Sequence, residues 1–208
     1  MSTQPSQGAV VVGLDGSQQS LLALDWAIDA ALAEGRPLHL LHAHGRRGAN
    51  EEGARILSVA RERATVVGRS LTVSQEDVAG SGESALIAAS RRAALVCVGA
   101  HGRGGVVAAI LGSTARAVTA SALCPIAVIP PRAEGGELTR RVVVGVDETS
   151  GSHDAVGYAF AQADLRQLRL TAVHSWHASD RVGFSVTGSP SAKWQLEIGN
   201  EEAATEQG

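Results

Sequence analysis

Short apolar runs alternate with longer amphipathic stretches through the first two-thirds of the chain. The apolar runs predict strands at residues 9–14, 38–43, 71–78, 95–98 and 126–129. Between them, the spacing of apolar positions predicts helices at 17–34, 50–68, 82–91 and 113–122. Ser17 is placed to cap the first of these helices, and Gly35 is placed to end it.

This regular alternation of strand and helix predicts an α/β fold. Strands joined by helices pair in parallel through right-handed crossovers, which puts helices on both faces of one sheet. Hydrophobic residues make up 44% of the chain and aromatic residues 3%, so aliphatic side chains must form the core, as is typical of buried parallel strands. Ligands of such sheets bind beyond the carboxyl ends of the strands. The loops after the first, second and fourth strands are therefore predicted to carry any binding site.

The beginning of the chain is repeated near its end, at an offset of 132 residues. Residues 10–15 align with residues 142–147, and the match continues without a gap as far as His42 and His174. Eleven of these 33 aligned pairs are identical, which indicates a duplicated unit.

The second copy stops earlier than the first. Gly208 corresponds to position 76 of the first copy, so the second copy is expected to lack the glycine-rich segment and the last strands. The residues between the copies are rich in Pro and Gly, as is typical of linkers. We therefore expect a complete domain at residues 9–130, a linker at 131–139 and a partial second copy at 140–208.

The most informative segment follows the fourth predicted strand. It runs Gly99-Ala100-His101-Gly102-Arg103-Gly104-Gly105, continues through six apolar residues, and reaches Gly112-Ser113-Thr114 at a predicted helix start. Glycines let backbone amides approach a ligand without Cβ atoms in the way. The amides of a helix N-terminus, together with Ser and Thr hydroxyls, favour an anion. The segment predicts a polyphosphate site, although a glycine-rich turn can also simply join a strand to a helix.

The spacing of Gly99, Gly102, Gly112 and Ser113 resembles the G-2x-G-9x-G-S pattern of ATP-binding universal stress proteins. Three further stretches are similar to that family: Val-Val-Gly-Leu-Asp-Gly-Ser near the N-terminus, Leu-Leu-His-Ala at the end of the second strand, and Leu-Cys-Pro-Ile-Ala-Val-Ile at the end of the domain. The resemblance covers residues 9–130 and, more weakly, the second copy. It implies a nucleotide-binding α/β sandwich of the tandem type with a truncated second domain.

The resemblance also implies roles for individual residues in binding ATP with Mg²⁺ or Mn²⁺. Asp15 would face the ribose or the metal, Gly13 would line the pocket, and the backbone of Ala43 would meet the adenine edge. The loop would wrap the ribose and phosphates with Gly99, His101, Gly102, Arg103, Gly104 and Gly105. The phosphates and metal would be held by Gly112, Ser113 and Thr114.

Some of these residues have simpler interpretations. Asp15 is equally suited to cap the first helix, and both roles can hold together. Arg103 is as consistent with a solvated loop side chain as with a phosphate contact. His101 has no acidic partner or nucleophile near it in the sequence, so a backbone spacer is favoured over a proton-transfer group.

The function that the resemblance implies is an ATP-binding regulatory module. Slow ATP hydrolysis is the most catalysis expected, because no general base can be identified in the sequence. Two alternatives stay open: an ATP-hydrolysing or nucleotidyl-transfer enzyme on a related fold, and a nucleotide-free dimeric interaction protein. A P-loop NTPase is excluded because the only lysine, Lys193, follows no such loop, and residues 80–85 fit a dinucleotide fingerprint only weakly.

The histidines of the second strand provide a weak metal signal. His39, His42 and His44 lie on one strand, but no cluster of Cys, Asp or Glu accompanies them. We expect partly exposed histidines at the end of a strand and no metal site.

Charge and termini limit the partners. A net charge of −3 and a pI near 6.2 favour neither nucleic acid nor an anionic membrane. The N-terminus has no signal pattern, so a cytoplasmic protein is expected. In tandem members of the family the last strands of the two domains pair, which implies a homodimer through Ile126 to Ile129 here.

Overall fold

The computed structural model describes residues 4–45, 51–68, 70–102, 111–131, 141–147, 149–174 and 194–196. The predicted site residues Arg103, Gly104 and Gly105 lie outside these ranges. The chain divides into two compact units, Met1–Glu134 and Gly135–Gly208.

The first unit is a five-stranded parallel sheet in the order β3-β2-β1-β4-β5. Its strands are β1 Val10–Leu14, β2 Leu38–His44, β3 Val73–Ala79, β4 Leu95–Gly99 and β5 Ile126–Ile129. Its helices are α1 Gln18–Glu34, α2 Glu51–Val67, α3 Gly82–Ser90 and α4 Ser113–Ser121. The predicted α/β fold is confirmed, with element bounds close to those expected from the apolar pattern.

The direction of the chain across the sheet reverses between β1 and β4. From β1 the chain proceeds outward to β2 and β3, then returns to the other side of β1 for β4 and β5. Loops leave β1 and β4 in opposite directions at such a switch point, which opens a crevice at their carboxyl ends.

Two hydrophobic layers hold the sheet between its helices. Alternate residues of a strand point to opposite faces, so Val10 and Val12 pack with α1 and α2, whereas Val11 packs with α3 and α4. All three side chains are fully buried. Burying each of these side chains contributes about 1.5–3 kcal/mol to the free energy of unfolding, so β1 anchors the unit.

Helix α1 begins and ends as the sequence predicts. The Ser17 hydroxyl accepts the N–H of Ser20 at 3.2 Å, which caps the first turn. Gly35 ends the helix in the left-handed conformation, with φ of 62°. Small residues let the helix lie close to the sheet. Four alanines of the helix are completely buried: Ala23, Ala27, Ala30 and Ala31.

The second unit repeats the start of the first. It contains β6 Arg141–Val146, α5 Ser150–Arg166, β7 Arg169–His174 and β8 Trp194–Leu196, paired in parallel in the order β6-β7-β8. Both α1 and α5 have 17 residues and occupy equivalent positions of the repeat. The short strand β8 lies beside β7, as β3 lies beside β2 in the first unit.

One hydrogen bond from a histidine ring is shared by the two copies. The Nδ1 of His42 donates to the carbonyl of Leu14 at 2.7 Å, and the Nδ1 of His174 donates to the carbonyl of Val146 at 2.8 Å. Each bond ties the end of one strand to the neighbouring strand. The identity of these two histidines in the repeat therefore has a structural cause.

The expectation that the histidines of β2 are partly exposed is wrong for His39 and His42. His39 is 0% exposed and His42 is 8% exposed. His39 bonds through Nδ1 to the hydroxyl of Ser74 at 2.8 Å, and its Nε2 lies 3.7 Å from a carboxylate oxygen of Glu76. Polar partners on β1 and β3 thus allow both rings to be buried. Among the described residues no group of three or more His, Cys, Asp or Glu side chains could hold a metal ion.

The burial of His39 predicts acid sensitivity. Burial lowers the pKa of His39 despite the opposing influence of Glu76, so the neutral ring is favoured in the folded state. As the pH falls below the ordinary His pKa of about 6.5, the unfolded chain binds the proton more readily, and the free energy of unfolding decreases. We expect His39→Gln to lose less stability than the wild type between pH 7 and pH 5 in urea denaturation.

His44→Gln is the matched control, because His44 ends the same strand and its side chain keeps 9% exposure, whereas that of His39 is 0% exposed. The account of His39 is contradicted if the stability of His39→Gln falls with pH as steeply as that of the wild type and of His44→Gln.

Candidate functional site

A cavity of about 570 Å³ opens at the carboxyl ends of β1, β2 and β4, at the switch point of the sheet. Nine of the twelve residues that the sequence predicts for the site line it. They are Gly13, Asp15, Ala43, Gly99, His101, Gly102, Gly112, Ser113 and Thr114. The other three are Arg103, Gly104 and Gly105, which lie outside the described residues.

One wall of the cavity is apolar. It includes Leu41 from β2, Leu86 from α3 and Val98 from β4. Gly13 makes this wall possible, because a Cβ at that position would lie 2.9 Å from the Cδ1 of Leu86. Such a surface suits the face of a flat, weakly polar ring. Sequence reasoning missed the wall, whose members are far apart in the chain.

Asp15 lies between the turn after β1 and the glycine-rich segment. Its Oδ1 accepts the N–H of Ser17 at 2.9 Å, while Gly16 takes a left-handed conformation with φ of 79°. Its Oδ2 lies 2.7 Å from the place where a Cβ on Gly102 would stand. Ser17 is therefore the capping residue of α1, and Asp15 stabilises the preceding turn while it lines the cavity.

The ends of the glycine-rich segment are joined by backbone hydrogen bonds. The N–H of Gly112 donates to the carbonyl of Ala100 at 2.7 Å, and the N–H of Ala100 donates to the carbonyl of Ile129 at 2.8 Å. A Cβ on Gly112 would lie 3.2 Å from that Ala100 carbonyl, which is closer than most real contacts. These bonds fix the start of α4 against the end of β4.

The start of α4 has little to balance its positive end. Gly112 is the capping residue and provides no side-chain hydrogen bond, and the first turn contains no acidic residue. Unsatisfied amides at a helix N-terminus attract anions. Ser113 and Thr114 add hydroxyl groups at the same edge of the cavity.

Arg116 is a lining residue that the sequence motif does not contain. It lies in the first turn of α4 and its side chain is exposed. The other charged side chain among the described lining residues is Asp15, so the cavity offers one charge of each sign. In the sequence, Arg116 could have been predicted as a site residue because it is a basic residue close to a helix start that has no capping side chain.

The equivalent turn of the second unit is satisfied by its own side chains. Asp147 accepts hydrogen bonds from the hydroxyl of Ser152, and from the N–H and hydroxyl of Thr149 at 2.9 and 2.6 Å. These hydrogen bonds lower the pKa of Asp147 to about 2, and the bond from Ser152 has the largest effect. The carboxylate of Asp147 is therefore held within its own turn.

Comparison with known proteins identifies the family. A model of the universal stress protein family matches residues 8–130 and 139–206. The chain belongs to the universal stress protein family. This confirms the resemblance predicted from the glycine spacing, and the two matched segments agree with a duplicated unit.

Several universal stress proteins of Mycobacterium tuberculosis are similar to this chain. Universal stress protein Rv3134c is 33% identical over 192 residues, which cover 88% of this chain and 71% of that protein. Universal stress protein Rv2028c is 36% identical over 180 residues, which cover 79% of this chain and 63% of that protein.

Solved universal stress proteins share the fold. One, determined in complex with cAMP, is 27% identical with a TM-score of 0.53, and the match covers 62% of this chain and 100% of that chain. Another, from Archaeoglobus fulgidus DSM 4304, has a TM-score of 0.62 at 17% identity, and the match covers 83% of this chain and 69% of that chain.

None of the described helices has the length and apolar character that crossing a bilayer requires.

The contact between Gly13 and Leu86 predicts the effect of adding one methyl group. Gly13→Ala should displace the Leu86 side chain toward the cavity, at a cost of about 1 kcal/mol in the free energy of unfolding, the low end for overpacking because the displaced atoms end a flexible side chain. Gly145→Ala is the matched control, because Gly145 is the repeat equivalent and a Cβ there meets nothing within 4 Å. Urea denaturation followed by circular dichroism measures both variants, and equal effects would contradict this packing.

Proposed function

We propose that the first unit binds an adenine nucleotide, ATP by preference, and acts as a regulatory module through the bound nucleotide. The observation that carries the proposal is the pairing of an apolar wall with an anion-attracting helix start in one cavity of about 570 Å³. A nucleotide has the same two parts, a flat base and a charged phosphate chain. The relative solved in complex with cAMP supports the adenine nucleotide class.

The predicted site residues and the apolar wall would contact different parts of the nucleotide. The base lies on Leu41 and Leu86, with its edge toward the backbone of Ala43, and Asp15 faces the ribose or the metal. The phosphates meet the amides of the glycine segment, comprising Gly99, His101, Gly102, Arg103, Gly104 and Gly105. The amides and hydroxyls of Ser113 and Thr114 complete the phosphate site at the helix start, and Gly112, which has no side chain, leaves room for the phosphates to approach.

A divalent ion fits this arrangement as part of the nucleotide complex. Mg²⁺ prefers oxygen ligands and is usually held by one or two carboxylates together with substrate phosphates. The Asp15 carboxylate is the acidic side chain among the described lining residues. We therefore propose that Mg²⁺ or Mn²⁺ enters with the phosphates and increases their affinity for the cavity.

Binding is proposed in preference to catalysis. A turnover assay tests the enzymatic alternative, with Gly112→Val as the background. Product formation well above that background would favour an ATP-hydrolysing or nucleotidyl-transfer enzyme.

The phosphate end of the cavity provides the direct test of binding. Gly112→Val adds a branched side chain 3.2 Å from the Ala100 carbonyl and over the helix start, so ATP affinity should fall at least about tenfold, or about 1.4 kcal/mol. Gly151→Val in the first turn of α5 is the control and should bind ATP like the wild type. Equilibrium dialysis with Mg²⁺ measures all three proteins. Failure of the wild type to bind at millimolar ATP would refute the proposal.

We also propose that β5 pairs with the same strand of a second chain. Among the described residues β5 pairs with β4 alone, which leaves its other edge open. The N–H groups of Val96 and Ala100 donate to Pro125 and Ile129, so the alternation of a parallel ladder turns the N–H of Val128 away from β4. Open edges of this kind recruit strands.

Val128→Pro tests this edge without removing a bond to β4. The substitution deletes the outward N–H, so the dimer should weaken at least about tenfold while the sheet is retained. Val128→Thr keeps the N–H and is the matched control. Sedimentation equilibrium measures the dissociation constants, and a monomeric wild type or an unchanged Val128→Pro dimer would contradict the proposal.

A further inference from the structure

Arg116 lines the cavity without a partner in the described part of the chain. No described carboxylate lies within ion-pair distance of its guanidinium, whereas Arg63 forms a two-point ion pair with Asp25 and Arg36 pairs with Glu34. Its backbone N–H donates to the carbonyl of the capping residue Gly112 at 3.0 Å, so Arg116 closes the first turn of α4. An Arg in this position has a free fork of N–H donors at the edge of the cavity.

The position of Arg116 is unfavourable in the absence of an anion. The N-terminus of a helix carries a partial positive charge, so a cation in the first turn is disfavoured. The neutral cap Gly112 and the lack of an acidic residue in that turn leave this repulsion uncompensated within the helix. A ligand carrying several negative charges would compensate both the helix end and the guanidinium.

The direction of helical side chains brings Arg116 toward the same place as Ser113. Side chains on a helix lean toward its N-terminus, and residues three apart share a face. The side chain of Arg116 therefore extends over the turn that contains Ser113. Both residues line the cavity. A guanidinium fork matches two oxygens of one phosphate, which gives it a preference for phosphates over a neutral group.

We propose that Arg116 contacts the distal phosphates of the nucleotide and selects nucleoside triphosphates and diphosphates over monophosphates. The inference rests on the proposed nucleotide site and assigns its phosphate-chain specificity to a residue outside the glycine motif. The hydroxyls and amides of Ser113 and Thr114 serve every nucleotide, whereas Arg116 acts on the phosphates that only the longer chains possess.

The experiment compares Arg116→Gln with the wild type by isothermal titration calorimetry against ATP, ADP and AMP, each with Mg²⁺. The affinity for ATP should fall on the order of tenfold, as expected for the loss of one charge-assisted phosphate contact, while that for AMP changes less than about twofold. Arg55→Gln, on an exposed face of α2, removes the same charge away from the cavity and should change none of the three.

A second readout separates specificity from a structural role. Without nucleotide, Arg116→Gln should melt at or above the wild-type temperature, because a disfavoured charge has been removed from the helix start. With ATP, its rise in melting temperature should be smaller than that of the wild type. A lower melting temperature without nucleotide, together with an unchanged rise, would indicate a structural residue and overturn the inference.

The outcomes also separate this inference from the proposed function. If the wild type binds all three nucleotides and Arg116→Gln binds them equally well, or loses ATP and AMP to the same extent, only the role of Arg116 is overturned. If the wild type binds none of them, the nucleotide site and the inference fall together.

Discussion

Where β4 leaves the sheet, its backbone passes so close to the first turn of α1 that a side chain would fit only if the neighbouring backbone moved. A Cβ on Gly99 would stand 3.0 Å from the backbone of Gln19, and one on Gly112 would stand 3.2 Å from the Ala100 carbonyl. Backbone therefore packs on backbone at this edge of the sheet. The cavity depends on that constraint, because the same absence of Cβ atoms that lets α1, β4 and α4 approach also leaves space beside this backbone for a ligand.

The second copy shows what this constraint adds to a shared framework. It repeats the strand, the helix and the histidine bond, and its Asp147 accepts hydrogen bonds from Thr149 and Ser152. Two valines of its sheet, Val143 and Val173, are 53% and 43% exposed, whereas Val11, the repeat equivalent of Val143, is fully buried under α3 and α4 in the first copy. The repeat thus supplies the framework of half a site, while the glycine segment and α4 supply the remainder.

The sequence was sufficient for features that depend on neighbouring residues. The apolar runs predicted the strands, and Ser17 and Gly35 predicted the ends of α1, because caps act within one turn. Features that depend on distant residues were missed. The burial of His39 requires Ser74, which lies 35 positions further along the chain. The apolar wall likewise needs Leu41 and Leu86, which come together only when the sheet and α3 are formed.

The most direct measurement is a two-dimensional nitrogen-proton NMR titration of the full chain with ATP and Mg²⁺. We predict that the largest changes in chemical shift occur at the amides of Gly13 and Ala43 at one end of the cavity, and of Gly112 to Thr114 at the other. The amides of β6, whose turn is satisfied by its own side chains, should stay in place. Shifts confined to the second unit, or spread over surfaces away from the cavity, would contradict the central claim that the glycine-lined crevice binds the nucleotide.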